Sequence, residues 1–255
     1  MNKEDMKTVI YVWKNNSIHH SKRCDDLFQL IQTTCYLHYL SKKMSFILHI
    51  DTQYHSISKC LPIILHPYHS LIKNNKIPIV HDLDYYIQSC PNKIVYFCST
   101  TYLPHTISTD CIYYIRKILA PTYSFLEWIE PIQVNTIVHV HINEPIISTF
   151  KFPHLLYTVY EKIKPYLSST TIVLSDTHEF KTYLKTKHDC IVYDTKIGNI
   201  GLPEHDEAVK DTLFDLYLMT KATKIYSFSW SRTIPGFVKI AQLYNVPIVE
   251  IKLIT

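Results

Sequence analysis

The chain has 255 residues, 47% hydrophobic and 19% charged, with a formal net charge of +4 spread along its length. This fits one large or two medium-sized globular domains with a sizeable core, and the mild charge without a basic block does not call for nucleic acid as a partner. No run approaches the ~18 apolar residues of a membrane span, and no long apolar core follows the charged N-terminal segment, so neither a span nor a signal peptide is expected.

The seven cysteines are odd in number and form no C-x-x-C pair, which reads as reduced thiols in a cytoplasmic protein. Richness in Lys, Ile, Asn and Tyr with only three glycines looks like A/T-rich coding and suggests a viral or bacterial source. In the viral case the cytoplasm is the host's.

Short apolar runs alternate with amphipathic segments. In chain order the pattern predicts a strand over 8–13, a helix over 25–42, a strand over 45–50, a helix over 82–89 and a strand over 93–98. A long helix over 109–128 follows, then a strand over 136–142, a helix over 153–167, a strand over 170–174 and a helix over 178–186. The last segments are a strand over 190–192, a helix over 206–222, a strand over 224–227, a helix over 233–244 and a strand over 247–251.

Near-continuous Val/Ile runs between helices mark buried parallel strands. The fold class is therefore α/β. The stretch 127–135 follows a long helix and precedes a new strand, so the expected domains are 1–132 and 133–255. Two doubly wound, Rossmann-like domains facing a cleft would follow, with ligands beyond the carboxyl ends of the strands.

The turn 227–233 is the densest polar feature. Ser227, Ser229, Ser231, Arg232 and Thr233 put hydroxyls and one cation before an expected helix. A helix N-terminus offers unpaired N–H groups and a positive dipole end, which suits a diphosphate. An ordinary helix cap needs only one of those side chains. Earlier in the chain, His139 and His141 lie two apart on a strand and share a face, and Asp176 stands just past a strand end. Asp176 is also suitably placed to cap the helix that begins at His178.

Three segments, in order, resemble the fucosyltransferase-like glycosyltransferases, two-domain GT-B enzymes that use GDP-fucose. The first runs from Arg23 to Asp51. There Asp26, Leu27, Phe28 and Gln29 match the family's helix start and Asp51 its strand end, while Arg23, Cys24 and Asp25 stand where the family has a Gly-rich turn. The second is V-H-V-H-I-N-E, from Val138 to Glu144. It is similar to the family's strand ending in V-H-V-R-R-G-D, with His141 in the place of the arginine that contacts the donor diphosphate and Glu144 in that of the aspartate. The third is I-V-L-S-D, ending at Ser175 and Asp176, followed by Asp215, Leu218 and Met219 on a helix and by Ser227, Ser229 and Ser231.

The resemblance implies a glycosyltransferase that moves fucose from GDP-fucose to a glycan hydroxyl without an essential metal or other cofactor. Its partners would be a nucleotide sugar and an oligosaccharide acceptor. The donor would be held in the second domain by His139, His141, Ser175, Asp176, Asp215, Ser227, Ser229, Ser231, Arg232 and Thr233. An oxocarbenium-like transition state with a departing diphosphate needs such donors and a cation, with a base for the acceptor hydroxyl. Asp26, Asp51 and Glu144 are the candidates for that base.

Two alternatives remain open at this point. One is a catalytically degenerate glycosyltransferase fold that only binds. The other is a metal-dependent hydrolase built on the His139/His141 pair, since imidazoles suit zinc. A metal-dependent transferase could also be read from Asp82-Leu83-Asp84, though Asp82 looks like the N-cap of its own helix.

Overall fold

The structure, a computed structural model, describes residues 6–14, 27–61, 68–73, 75–99, 108–142, 152–195, 206–230 and 235–253. It separates into two compact units. Unit 1 is Met1–Thr122 with Ile200–Glu204, and unit 2 is Tyr123–Asn199 with His205–Thr255.

Unit 1 is built on a parallel sheet of β1 (Thr8–Lys14), β2 (Ile47–Tyr54) and β3 (Ile94–Phe97), in the order β2-β1-β3. Val9 to Trp13 are all buried, as expected of a central strand covered on both faces. Its helices are α1 (Leu27–Met44), α2 (His69–Lys73), α3 (Leu83–Ser89) and α4 (Thr109–Ile118). Asp82 caps α3, its Oδ1 accepting the Tyr85 N–H at 3.0 Å. Ser45, between α1 and β2, takes a φ of 56°, a left-handed turn made here without glycine.

Unit 2 carries α5 (Tyr123–Ile129), β4 (Thr136–His141), α6 (Phe152–Ile163), β5 (Ile172–Ser175) and α7 (His178–Lys185). After these come α8 (Asp206–Lys221), β6 (Lys224–Ser229), α9 (Gly236–Gln242) and β7 (Ile248–Lys252). The four strands are parallel in the order β5-β4-β6-β7. Val138, Val140, Val173 and Phe228 on one face of this sheet pack with Leu155, Val159, Phe180 and Leu184 from α6 and α7. The intervening residues His139 and Ser227 belong to the other face.

Several expected boundaries differ from the structure. The single helix over 109–128 is two, α4 and α5, separated at Pro121, which lacks an N–H and disfavours helix in the residue before it. Unit 2 therefore begins at Tyr123, ten residues before the expected boundary at 133. The stacked pair Trp128–Phe214 (4.3 Å) and the edge contact Phe125–Tyr217 (5.4 Å) bind α5 to α8. Lys221 completes the joint, its Nζ donating to the carbonyls of Ile129, Glu130 and Ile132 at the end of α5.

The strand expected over 190–192 is only an isolated bridge between Ile172 and Ile191. β6 runs on to Ser229, and the last helix begins at Gly236 with Pro235 as its N-cap; the expected start at Thr233 falls outside the described residues. The helix expected over 153–167 ends at Ile163 and tightens into a 3-10 turn, Lys164–Tyr166, around Pro165.

Cys35 and Cys111 are buried thiols on α1 and α4. Among the described residues no helix is long and apolar enough to cross a membrane.

Candidate functional site

In unit 2 the chain passes from β4 to β5 on one side, then crosses to β6 on the other. The topological switch point therefore lies between β4 and β6, where open parallel sheets hold ligands. At the carboxyl edge of that pair, His141 stands in register with Ser229, and His139 with Ser227. The register of β4 with β5, Val140 against Ser175, brings Asp176 level with His141.

Asp176 joins the two strands. Its Oδ2 lies 2.7 Å from His141 Nδ1, while its Oδ1 accepts the Ile142 N–H at 2.8 Å and the Thr177 hydroxyl at 3.2 Å. It does not cap α7: the N-cap there is Thr177, which makes no side-chain capping bond. The side chains of His141 and Asp176 are 30% and 29% exposed, so the pair stands open to solvent.

His139 lies one row deeper. Its ring stacks on that of His141, with centroids 6.4 Å apart and planes at 14°. Burial lowers its pKa to about 4, with His141 pushing the same way and Asp176 opposing, so His139 is neutral at physiological pH. Its Nδ1 and the Ser227 Oγ beside it are buried and meet no partner among the described residues. The two histidines are thus not equivalent: one is buried and neutral, the other open and paired with a carboxylate. Among the described residues no group of three His, Cys, Asp or Glu gathers as a metal site.

Ser175 is buried, its Oγ accepting the Thr177 N–H at 3.2 Å. Ser227 and Ser229, expected in an open turn, are instead buried strand residues, because β6 continues through them. Asp215 sits in the middle of α8 and turns to Thr195, whose hydroxyl donates to its two oxygens at 3.4 and 3.5 Å. Lys181 Nζ, buried, donates in turn to Thr195 Oγ1 at 2.6 Å and to its carbonyl at 3.2 Å. Desolvation pushes the Asp215 carboxyl up to about 7, against the pull of Lys181. Burial also lowers the Lys181 pKa. Ser231, Arg232, Thr233, Asp26 and Glu144 lie outside the described residues.

Unit 1 has its own carboxyl edge. Asp51 is buried there, its Oδ1 accepting the Gln53 N–H at 3.0 Å and its Oδ2 the Gln53 Nε2 at 2.7 Å. A carboxylate engaged in this way braces its strand and would have to be uncovered before it could take a proton from an acceptor. His55, also buried, caps the 3-10 turn Ser56–Lys59 by accepting the Ile57 N–H at its Nδ1 (3.2 Å). Burial holds its pKa down to about 4. The Trp13 ring meets it edge-on at 6.5 Å. The sequence alone does not single out His55 and Trp13. Trp13 ends an apolar run and reads as core, and nothing local marks His55 as a cap.

The sequence marks His141 and Asp176 separately but carries no signal that they pair.

No protein-family model matches the chain, and no curated protein matches it in sequence. Among solved structures it is similar to crystal structures of NodZ alpha-1,6-fucosyltransferase. For the one soaked with GDP-fucose the TM-score is 0.60 at 11% identity, covering 96% of this chain and 94% of that one. For NodZ from Bradyrhizobium it is 0.60 at 13% identity, covering 96% and 95%. For the form co-crystallised with GDP it is 0.57 at 12% identity, covering 96% and 94%. At these identities the likeness is one of fold: this chain has the GT-B-like α/β fold of the fucosyltransferase-like glycosyltransferases.

Proposed function

We propose that the protein is a glycosyltransferase that moves a sugar from a nucleoside diphosphate donor, GDP-fucose, to a hydroxyl of a glycan. Unit 2 takes the donor and unit 1 the acceptor. The observation that carries this reading is the open His141–Asp176 pair at the switch point of unit 2, within a fold shared with NodZ. A diphosphate leaving group needs positive charge and N–H or O–H donors placed where its charge develops. His141 supplies a protonatable cation there, and Arg232, a few residues beyond Ser229 in sequence, supplies a permanent one suited to bidentate phosphate contact. With these, the departing charge is met by side chains and no resident metal is required. The acceptor proton goes to a carboxylate from among Asp26, Asp51 and Glu144.

The test is thermal stabilisation of the purified protein by GDP and GDP-fucose in the presence of a chelator, followed by transfer to an oligosaccharide panel. A ligand at about 100 times its dissociation constant adds about 2.7 kcal/mol of stability, a readily measured rise in Tm. Stabilisation together with fucose transfer is the expected result. Stabilisation without transfer points to a binding protein, and, in parallel samples with metal added and no chelator, a response only to zinc or manganese points to a metal-dependent enzyme. No response to any nucleotide overturns the donor reading.

A further inference from the structure

Asp176 leaves β5 and commits its carboxylate to the neighbouring strand. The Ile142 N–H holds Oδ1 at 2.8 Å, so the carboxylate is fixed by the strand pairing whether or not the histidine is there. Oδ2 then meets His141 at Nδ1, at 2.7 Å. A carboxylate on Nδ1 sets the tautomer and orientation of the ring and favours its protonated form. The second proton of the imidazolium then belongs to Nε2, and the His141 side chain as a whole is 30% exposed. His139 behind it is neutral and leaves the charge to one ring. Titratable groups on flanking elements include Glu250 and Lys252 on β7, with Lys252 in register with Ser229, Lys224 and Tyr226 on β6, Lys239 on α9, and His178, Glu179 and the buried Lys181 on α7. Asp215 on α8 is turned to Thr195.

We propose that Asp176 is a positioning residue that makes His141 a switchable cation, so that binding of the donor's diphosphate is coupled to uptake of one proton on His141. This rests on the reading of unit 2 as the donor-binding unit. Binding would be tight when the pair is protonated and weak when it is not.

The probe is GDP-fucose, whose esterified diphosphate does not titrate near neutrality, whereas the terminal phosphate of GDP does. Its Kd for the full chain is measured by calorimetry between about pH 5.5 and 8.5, in buffers of different ionisation enthalpy. The wild type should lose affinity with rising pH, approaching about tenfold per unit, and take up a proton on binding. His141→Arg should bind with a flat pH profile. Asp176→Asn should still bind, with its loss of affinity moved to lower pH.

A flat wild-type profile, or the same slope in His141→Arg, overturns the coupling while leaving the donor reading intact. Absence of binding by the wild type at every pH overturns that reading itself. The positioning role has its own readout, the NMR titration of the His141 ring in the ligand-free protein. Asp176→Asn should move that titration to lower pH, and an unmoved titration overturns the role.

Discussion

The two units carry the same kind of parallel sheet and treat its carboxyl edge differently. In unit 1 the polar residues at that edge, Asp51, Thr52 and His55, are buried. Asp51 and His55 serve the backbone and side chains around them, one bracing Gln53 and the other capping a 3-10 turn. In unit 2 the edge keeps His141 and Asp176 open to solvent, above a buried and neutral His139. The carboxyl edge of a parallel sheet is thus a place where a site can form, and not a site in itself. In unit 2 an ionisable pair is oriented there but not covered; covering would neutralise it, as it does His139 and His55.

That contrast can be broken by experiment. The largest effect should come from acid. Folded pKa values of about 4 for His55 and His139 lie below the usual histidine value of 6.5. The unfolded chain therefore binds protons that the native one refuses, and stability is lost as pH falls from 6.5 towards 4. Each histidine contributes up to about 3 kcal/mol over that window. Urea denaturation of the wild type and of His55→Gln across the window measures it, and an equal acid slope in the two would refute the burial argument for His55.

Next in size, His141→Ala should lower kcat/KM for transfer by about 100-fold, the cost of losing one oriented group at a developing charge. His55→Gln, in a stably folded preparation, should leave the donor Kd unchanged. Reversal of that pattern would move the donor site to unit 1. Arg232→Ala should raise the donor Kd at least about tenfold, or ~1.4 kcal/mol, by calorimetry. Unchanged affinity would remove Arg232 from the site.

The smallest effect belongs to Asp215. Its raised pKa means that the native state holds a proton the unfolded chain has lost, so stability falls as pH rises from about 4 to 7. Asp215→Asn should remove that slope and raise stability at pH 8 by about 1 kcal/mol, discounted for partial solvent access and for the nearby Lys181. Loss of stability on that substitution would mean that the carboxylate is needed by Lys181.

Much of the fold can be read along the chain. β1 and β4 are marked by runs of Val, Ile and aromatic residues, and Asp82 announces the helix it caps. What failed to be read was local chemistry overridden by context. Ser227 and Ser229 look like turn residues because serine favours turns. Yet β6 carries both into the sheet, paired with His139 and His141 on one side and with Glu250 and Lys252 on the other. Pro121 marks the break between α4 and α5, while the apolar pattern across it reads as one continuous helix.

The sequence by itself determined the alternation of strands and helices, the buried character of the strands and the strand-end positions of His139, His141 and Asp176. Those properties follow from side-chain type and period, which are local. Only the tertiary structure decided the sheet orders and the division of roles between the two histidines. It also turned Asp176 from a candidate helix cap into the partner of His141. Ile142 and Asp176 lie 34 positions apart, and what joins them is the register of β4 against β5. Register is a property of two strands at once, settled by the packing of both faces of the sheet, and no single segment encodes it.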